Sequence, residues 1–197
     1  MANEKIWNVS RRKFLAGAGL ATAGLCIGLY AYLSDEDGGG GVAQSPSGDG
    51  PVFTPNVFVH IATSGLVTLY CHRSEMGQGI RSTLPVILAD ELGTTMEHVK
   101  VIQAVGDEKY GDQNTDGSSS IRGVFDWLRN MSAVARTLLI RAAAKRWNVD
   151  PTQCDTKENY VFLKGSNKKL GFGELAEEAA ELPLPKEDDV KLRDRKE

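Results

Sequence analysis

The chain has 197 residues, of which 23 are basic and 26 acidic, and its formal net charge is −3. About 41% of the residues are hydrophobic, which indicates a globular protein and excludes a fully disordered, collagen-like or multi-span membrane chain. There is no long Lys/Arg block and no CxxC pair, so we expect no nucleic-acid partner and no zinc, iron–sulfur or disulfide framework in this chain.

Residues 1–33 have the pattern of an export signal. Ser10-Arg11-Arg12-Lys13-Phe14-Leu15 is a twin-arginine motif, and an uncharged, glycine-containing apolar run continues from it to Leu33. We therefore expect export to the periplasm by the twin-arginine translocase, a route that carries proteins already folded, often with a cofactor. The run is about 20 residues, long enough to span a bilayer. It is either cleaved or retained as an inner-membrane anchor.

The rest of the chain divides by composition into three parts. Residues 34–55 are rich in Gly, Ser and Pro and predict a flexible linker, 56–182 predict a folded domain, and 183–197 predict a charged tail or linker to a further domain. Hydrophobic periodicity predicts these elements in chain order: strands 57–61 and 66–71 forming a hairpin, helix 82–92, strand 99–103, helix 124–147, strand 160–163 and helix 172–182. The expected fold is α/β (α+β), with a mixed sheet and helices packed on it.

The first two predicted helices carry more detailed signals. Ser82 is the expected N-cap of the first helix, Pro85 falls in its first turn, and Gly93 is the expected stop. The basic residues of the long helix lie mostly off its apolar stripe and are expected on a solvated face, with a binding patch as the alternative: Arg129, Arg136, Arg141 and Lys145.

The first candidate site is the segment Ser74-Glu75-Met76-Gly77-Gln78-Gly79, between a predicted strand and a predicted helix. Glycine lets the backbone approach a ligand closely, and the helix N-terminus presents N–H groups. Gln78 can donate and accept hydrogen bonds at once, which suits a polar heterocycle or an oxo group. The alternative interpretation is a tight strand-to-helix turn.

The second candidate site is Asp116-Gly117-Ser118-Ser119-Ser120-Ile121-Arg122, which precedes the long helix. Its three hydroxyls and consecutive N–H groups could cradle an anion or a pterin. The alternative is an N-cap with ordinary serine turn chemistry.

The order of these features resembles the molybdopterin-binding large subunit of the xanthine oxidase family of molybdenum hydroxylases. The features are the segment Met76-Gly77-Gln78-Gly79 (MGQG), a helix, a strand, the loop from Asn114 to Ser120 and a long Ala-rich helix. With the twin-arginine start, the similarity is to the exported branch, which includes isoquinoline 1-oxidoreductase beta subunits and membrane-bound aldehyde dehydrogenase large subunits. It runs from about Val57 to Leu182.

The resemblance implies a molybdenum–molybdopterin cofactor, with or without a cytosine nucleotide, and oxidation of an aldehyde or N-heterocycle by hydroxide transfer from molybdenum. The residues it implies for cofactor binding are Gly77, Gln78, Gly79, Gly117, Ser118, Ser119 and Ser120. It also implies partners: the remainder of the large subunit, a small subunit carrying [2Fe–2S] clusters, and a cytochrome c subunit as electron acceptor.

The chain is several times shorter than the large subunits of that family. The family's glutamate base has no counterpart here, so we predict no catalytic residue and no metal ligand in this chain. We expect cofactor contacts from it but no activity from the chain alone. The alternative is a truncated, non-catalytic remnant or interaction domain that binds no cofactor.

Overall fold

A computed structural model describes residues 42–44 and 51–194 of the chain. The predicted export signal, most of the predicted linker and residues 195–197 lie outside this described part. Among the described residues, no helix combines the length and apolar character needed to cross a membrane.

The first sheet has five strands in sequential order. They are β1 (Val42–Gln44), β2 (Pro51–Asn56), β3 (Val59–Ala62), β4 (Val67–Cys71) and β5 (Val99–Gln103). β1 to β4 are antiparallel neighbours, whereas β5 runs parallel to β4. The predicted hairpin is confirmed as β3–β4. Strand β1 and all of β2 except its last residue, Asn56, fall inside the segment 34–55, and Phe53 of β2 is buried in the core.

The helices are α1 (Ile80–Leu92), α2 (Ser119–Arg122), α3 (Phe125–Trp147) and α4 (Phe172–Ala180). α3 packs against α1 on one side and α4 on the other. Leu128, Leu138 and Leu139 of its apolar stripe are fully buried, so burial of this stripe holds the long helix on the core. The expected mixed sheet with helices packed on it is confirmed.

A second, antiparallel sheet follows α3. It consists of β6 (Cys154–Lys157), β7 (Tyr160–Leu163) and β8 (Lys169–Gly171). The sequence predicted only the middle strand, because β6 and β8 are short and largely polar and carry no clear alternation of apolar residues.

The expectation of a solvated basic face on α3 is wrong for two of its arginines. Arg129 and Arg136 are buried, and both bind the carboxylate of Glu91 on α1, at 2.8 and 2.9 Å. Glu91 is itself 1% exposed. The two arginines therefore face α1, where a buried acidic residue on the neighbouring helix compensates their charge.

Lys191 and Arg193, near the end of the described residues, contact the same ion cluster. The Arg193 backbone N–H donates to Glu91 Oε1 at 2.9 Å, and the Arg193 guanidinium donates to the Thr156 hydroxyl at 2.6 Å. Farther along α3, Arg141 pairs with Asp189 at 2.9 Å. The final described residues are thus fixed to α1, α3 and β6 by polar contacts.

Candidate functional site

The two candidate segments leave the sheet at the same edge. β4 and β5 are parallel and in register through Cys71, which lies opposite Gln103. The connections after these strands, 72–79 and 104–118, therefore start side by side. In open α/β sheets, the carboxyl ends of parallel strands are where ligand-binding loops collect.

The first segment is organised by the carboxylate of Glu75. It accepts hydrogen bonds from the N–H groups of Gly77 at 2.7 Å, Gly79 at 3.0 Å and Arg81 at 3.0 Å. These bonds, that from Arg81 foremost, lower the pKa of the Glu75 carboxyl. The N–H groups that we expected to be available to a ligand are thus occupied by the chain's own carboxylate.

The same carboxylate explains why α1 starts earlier than predicted. The helix begins at Ile80 with Gly79 as its N-cap, and the Ser82 N–H donates to the Gly79 carbonyl at 3.2 Å. Pro85 consequently lies inside the helix, where the carbonyl of Arg81 has no i+4 donor. The predicted stop is confirmed, because Gly93 adopts φ 84°.

Gln78 is exposed and folded back on its own loop. Its Nε2 donates to the Ser74 carbonyl at 2.8 Å, and its Oε1 accepts from the Met76 N–H at 2.6 Å. The side chain therefore closes the segment into a compact loop. A ligand that binds the Gln78 amide must compete with these two bonds.

The glycines of both segments face open space. Gly77, Gly79 and Gly117 adopt φ of 93°, 85° and 49°, and a Cβ built at any of them would meet no atom within 4 Å. The positive φ values explain the glycine requirement. The open space means that a flat ligand could approach the backbone at these positions.

The second segment caps the short helix α2. Ser118 is the N-cap at φ 57°, and both the N–H and the hydroxyl of Ser119 donate to the Asp116 carbonyl at 2.9 Å. Within the described residues, the N–H groups of Gly117, Ser118 and Ser120 and the hydroxyls of the latter two donate no hydrogen bond. These groups can bind an acceptor such as an anionic oxygen.

A buried arginine that the sequence analysis did not identify connects the two segments. Arg73, 2% exposed, donates from Nη1 to the Asn114 carbonyl and from Nη2 to Asp112 Oδ2, the latter at 3.2 Å. Next to it, the Ser74 N–H donates to Thr115 Oγ1 at 3.1 Å. An arginine at the end of a strand carries no sequence signal of this role, since its partners lie about forty residues away.

An aromatic cluster underlies the loops. His72 is edge-on to Phe58 and Trp127, with ring centroids 5.3 and 5.6 Å apart. The His72 ring is 1% exposed, and neither of its nitrogens has a partner within the described residues. Burial, reinforced by the adjacent Arg73, lowers the pKa of His72 from 6.5 to about 4.

This burial predicts a pH dependence of stability. At neutral pH His72 is uncharged in both the folded and the unfolded chain. Below about pH 6.5 the unfolded chain binds a proton that the folded chain does not bind until about pH 4. The free energy of unfolding should therefore fall between these values, by about 3 kcal/mol from His72.

Denaturant titrations across this range would measure the fall. His60, whose pKa burial also lowers to about 4, adds to it. The variant His72→Phe should show a clearly smaller fall, while His98→Gln, at an exposed histidine, should match the unmodified chain. Equal pH dependence in His72→Phe and the unmodified chain would contradict the prediction.

The comparison with protein families decides the assignment. The family model described as molybdopterin cofactor-binding domain matches residues 11–196. The chain belongs to this family. Membership also confirms the resemblance to the molybdopterin-binding subunits of the xanthine oxidase family.

Two curated relatives of this molybdopterin cofactor-binding domain are more than 30% identical to it. Isoquinoline 1-oxidoreductase subunit beta of Brevundimonas diminuta is 34% identical over 174 residues, 85% of this chain and 22% of that protein. Membrane-bound aldehyde dehydrogenase [pyrroloquinoline-quinone] of Gluconacetobacter polyoxogenes is 31% identical over 188 residues, 90% of this chain and 24% of that protein. The chain thus spans about a quarter of the length of these relatives.

A solved structure supports the fold. Quinoline 2-oxidoreductase from Pseudomonas putida 86 superposes with a TM-score of 0.52 and 22% identity, covering 60% of this chain and 15% of that one. At this identity the match concerns the fold.

Proposed function

We propose that this molybdopterin cofactor-binding domain supplies part of the cofactor site of an exported oxidoreductase that acts on an aldehyde or an N-heterocycle. One observation carries the proposal: the chain's own contacts hold two glycine-rich segments side by side at the carboxyl edge of β4 and β5. Family membership and relatives named as oxidoreductases support the cofactor and reaction class.

The described residues fit such a cofactor in shape and in polarity. Gly77, Gly79 and Gly117 leave room beside the backbone for a flat ring system. The N–H and hydroxyl groups of Ser118 and Ser120, which donate no hydrogen bond within the described part of the chain, suit phosphate oxygens. Gln78 can donate to an oxo group or accept from a ring nitrogen after leaving its own loop.

When bound, the cofactor would supply the oxidative hydroxylation chemistry at molybdenum. The residues of this chain would bind and orient it. Gly77, Gln78 and Gly79 would line one side, and Gly117, Ser118, Ser119 and Ser120 would hold the pterin or its phosphate end. The Glu75 carboxylate would keep the first segment rigid, since it ties three N–H groups to one side chain.

Export and partners belong to the same proposal. The twin-arginine pattern favours export to the periplasm by the twin-arginine translocase, with the apolar run cleaved or kept as an inner-membrane anchor. Because the relatives are about four times as long, further large-subunit polypeptide would supply the rest of the site and the catalytic base. A small [2Fe–2S] subunit and a cytochrome c subunit would carry electrons away, and the pterin would carry a cytosine nucleotide or none.

The site assignment is tested by two substitutions in the chain purified from its host with its co-purifying subunits. Gln78→Ala removes the amide, and Gly79→Val places a β-branched side chain at φ 85°. Each should lower the affinity for the cofactor at least about tenfold, a loss of roughly 1.4 kcal/mol in binding, and the molybdenum content per chain should fall accordingly. Metal analysis of the purified complex measures this.

Matched controls come from outside the site. Gln153→Ala changes an exposed glutamine, and Gly165→Val changes a glycine of similar φ, 72°, on the β7–β8 turn with open space around it. Both should retain molybdenum. Unchanged molybdenum in the Gln78 and Gly79 variants would contradict the site assignment.

The unmodified complex tests the proposed function itself. Molybdenum and iron that co-purify with companion chains would support it. A metal-free chain without companions would favour the alternative of a non-catalytic remnant or interaction domain. A quinone in place of molybdenum would contradict the cofactor, a relevant outcome because one relative's name includes pyrroloquinoline-quinone.

A further inference from the structure

The burial of the charged Arg73 side chain is energetically unfavourable at its position. Its guanidinium is almost wholly buried, yet Asp112, its acidic partner among the described residues, has a side chain that is 72% exposed. Arg73 Nε has no partner within the described residues. Burying a charge without a buried counter-ion opposes folding. A simple tie between two loops could be made from neutral groups, so this arginine calls for a role beyond stability.

Arg73 lies at the centre of a hydrogen-bonded path between the two segments. On the first side, the Gln78 amide donates to the Ser74 carbonyl at 2.8 Å, and Ser74 follows Arg73 in the chain. On the second side, Arg73 binds the Asn114 carbonyl, and Asn114 Nδ2 donates to Asp116 Oδ2 at 2.7 Å. Asp116 in turn accepts the N–H of Ser119.

The backbone around Arg73 is itself fixed. Gln103, the last residue of β5, donates from Nε2 to the carbonyls of Cys71 at 2.9 Å and Arg73 at 3.2 Å. Asp112 is fixed as well, because its Oδ1 accepts the Asn114 N–H at 2.9 Å. The guanidinium therefore connects two groups that other hydrogen bonds already hold in place, the Arg73 backbone and the Asp112 carboxylate. Its own geometry consequently sets the distance between the two segments.

We propose that Arg73 is a positioning residue. It sets the distance between the first segment, which contains Gln78, and the second segment, which contains Gly117 to Ser120, so that one ligand can bind both. The proposal rests on the proposed function for the identity of that ligand, the molybdopterin cofactor. Lysine cannot replace Arg73, because one ammonium group cannot reproduce the planar fork that serves Asn114 and Asp112 together.

The test uses Arg73→Lys in the full chain with its co-purifying subunits, and hydrogen–deuterium exchange as the readout. The Ser119 amide, which Arg73 does not contact, should exchange about tenfold faster, as should the Ser74 amide. Peptides from the core of α3, residues 133–139, should not change. A merely structural role would loosen this core as well, so a uniform increase, or no change at Ser119, would overturn the proposal.

Arg146→Lys is the matched control. Arg146 also makes a two-pronged bond, its Nε lying 3.1 Å from both carboxylate oxygens of Glu178, but it lies on α3 facing α4. The same substitution there should leave both segments unchanged. If Arg73→Lys fails to fold, Asp112→Asn is the second variant. It weakens the bond between Arg73 Nη2 and residue 112, an exposed position, and should increase the exchange rate of the Ser119 amide about threefold. No increase in that variant would also overturn the proposal.

The molybdenum content of the variants distinguishes a failure of this proposal from a failure of the proposed function. Arg73→Lys should lower the affinity for the cofactor about tenfold, and molybdenum per chain should fall accordingly. Arg73→Met, which lacks all the N–H donors of the guanidinium, should lower it further. Faster exchange at Ser119 with unchanged molybdenum would overturn the positioning role. If the unmodified complex holds no molybdenum, the proposed function fails, and the exchange result still decides whether Arg73 sets the spacing of the two segments.

Discussion

Glu91→Ala is expected to lower the free energy of unfolding by about 3–5 kcal/mol, the cost of removing one partner from a buried ion pair. The Glu91 carboxylate binds Arg129, Arg136 and the backbone of Arg193. Without it, two buried guanidinium groups of α3 would lose the carboxylate on α1 that compensates their charge. Burial lowers the pKa of Arg136, because a desolvated guanidinium is less stable in its charged form.

Denaturant unfolding of the full chain measures this loss. Glu178→Ala is the control, because Glu178 also pairs with an arginine but does so at the surface, where a pair contributes less than about 1 kcal/mol. Glu91→Gln should fall between the two, since it keeps hydrogen-bond acceptors but loses the charge. Equal losses for Glu91→Ala and Glu178→Ala would contradict the interpretation of Glu91 as the hub of the interface.

Features that depend on neighbouring residues could be predicted from the sequence. The β3–β4 hairpin follows from two β-rich runs around Gly65, and the end of α1 follows from Gly93, since a left-handed residue there favours glycine. The long helix α3 follows from an apolar stripe sustained over about four turns. In each case the residues that determine the structure lie within a few positions of each other.

Features that depend on distant partners could not be predicted. Arg129 and Arg136 resemble surface residues until Glu91, 38 and 45 positions away, is brought beside them. The two site segments were predicted separately, but their connection through Arg73 and Asp112 spans 39 positions. Even the start of α1 was misplaced, because its cap is a carboxylate four residues before the N-cap position. That the predicted residues bind a cofactor stays a prediction.

Gly173→Ala is expected to lower the free energy of unfolding by about 3 kcal/mol, the upper part of the range for overpacking a core. Gly173 lies in the first turn of α4, and an added Cβ would lie 2.3 Å from the Thr63 carbonyl oxygen and 2.5 Å from the Gly65 nitrogen. Both are backbone atoms of the β3–β4 turn and cannot rotate away. Helix propensity alone predicts the opposite sign, a gain of up to about 1 kcal/mol.

The sign of the change therefore decides between local preference and tertiary contact. Gly106→Ala is the control, because its Cβ would meet nothing and its φ is not positive; it should change stability by less than about 0.5 kcal/mol. A stabilised Gly173→Ala would contradict the close approach of α4 to the turn. That approach matters for the site, since the same hairpin contains β4, and β4 leads directly into Arg73 and the Gln78 segment. A shift of α4 away from the turn should thus loosen the support on which both candidate segments depend.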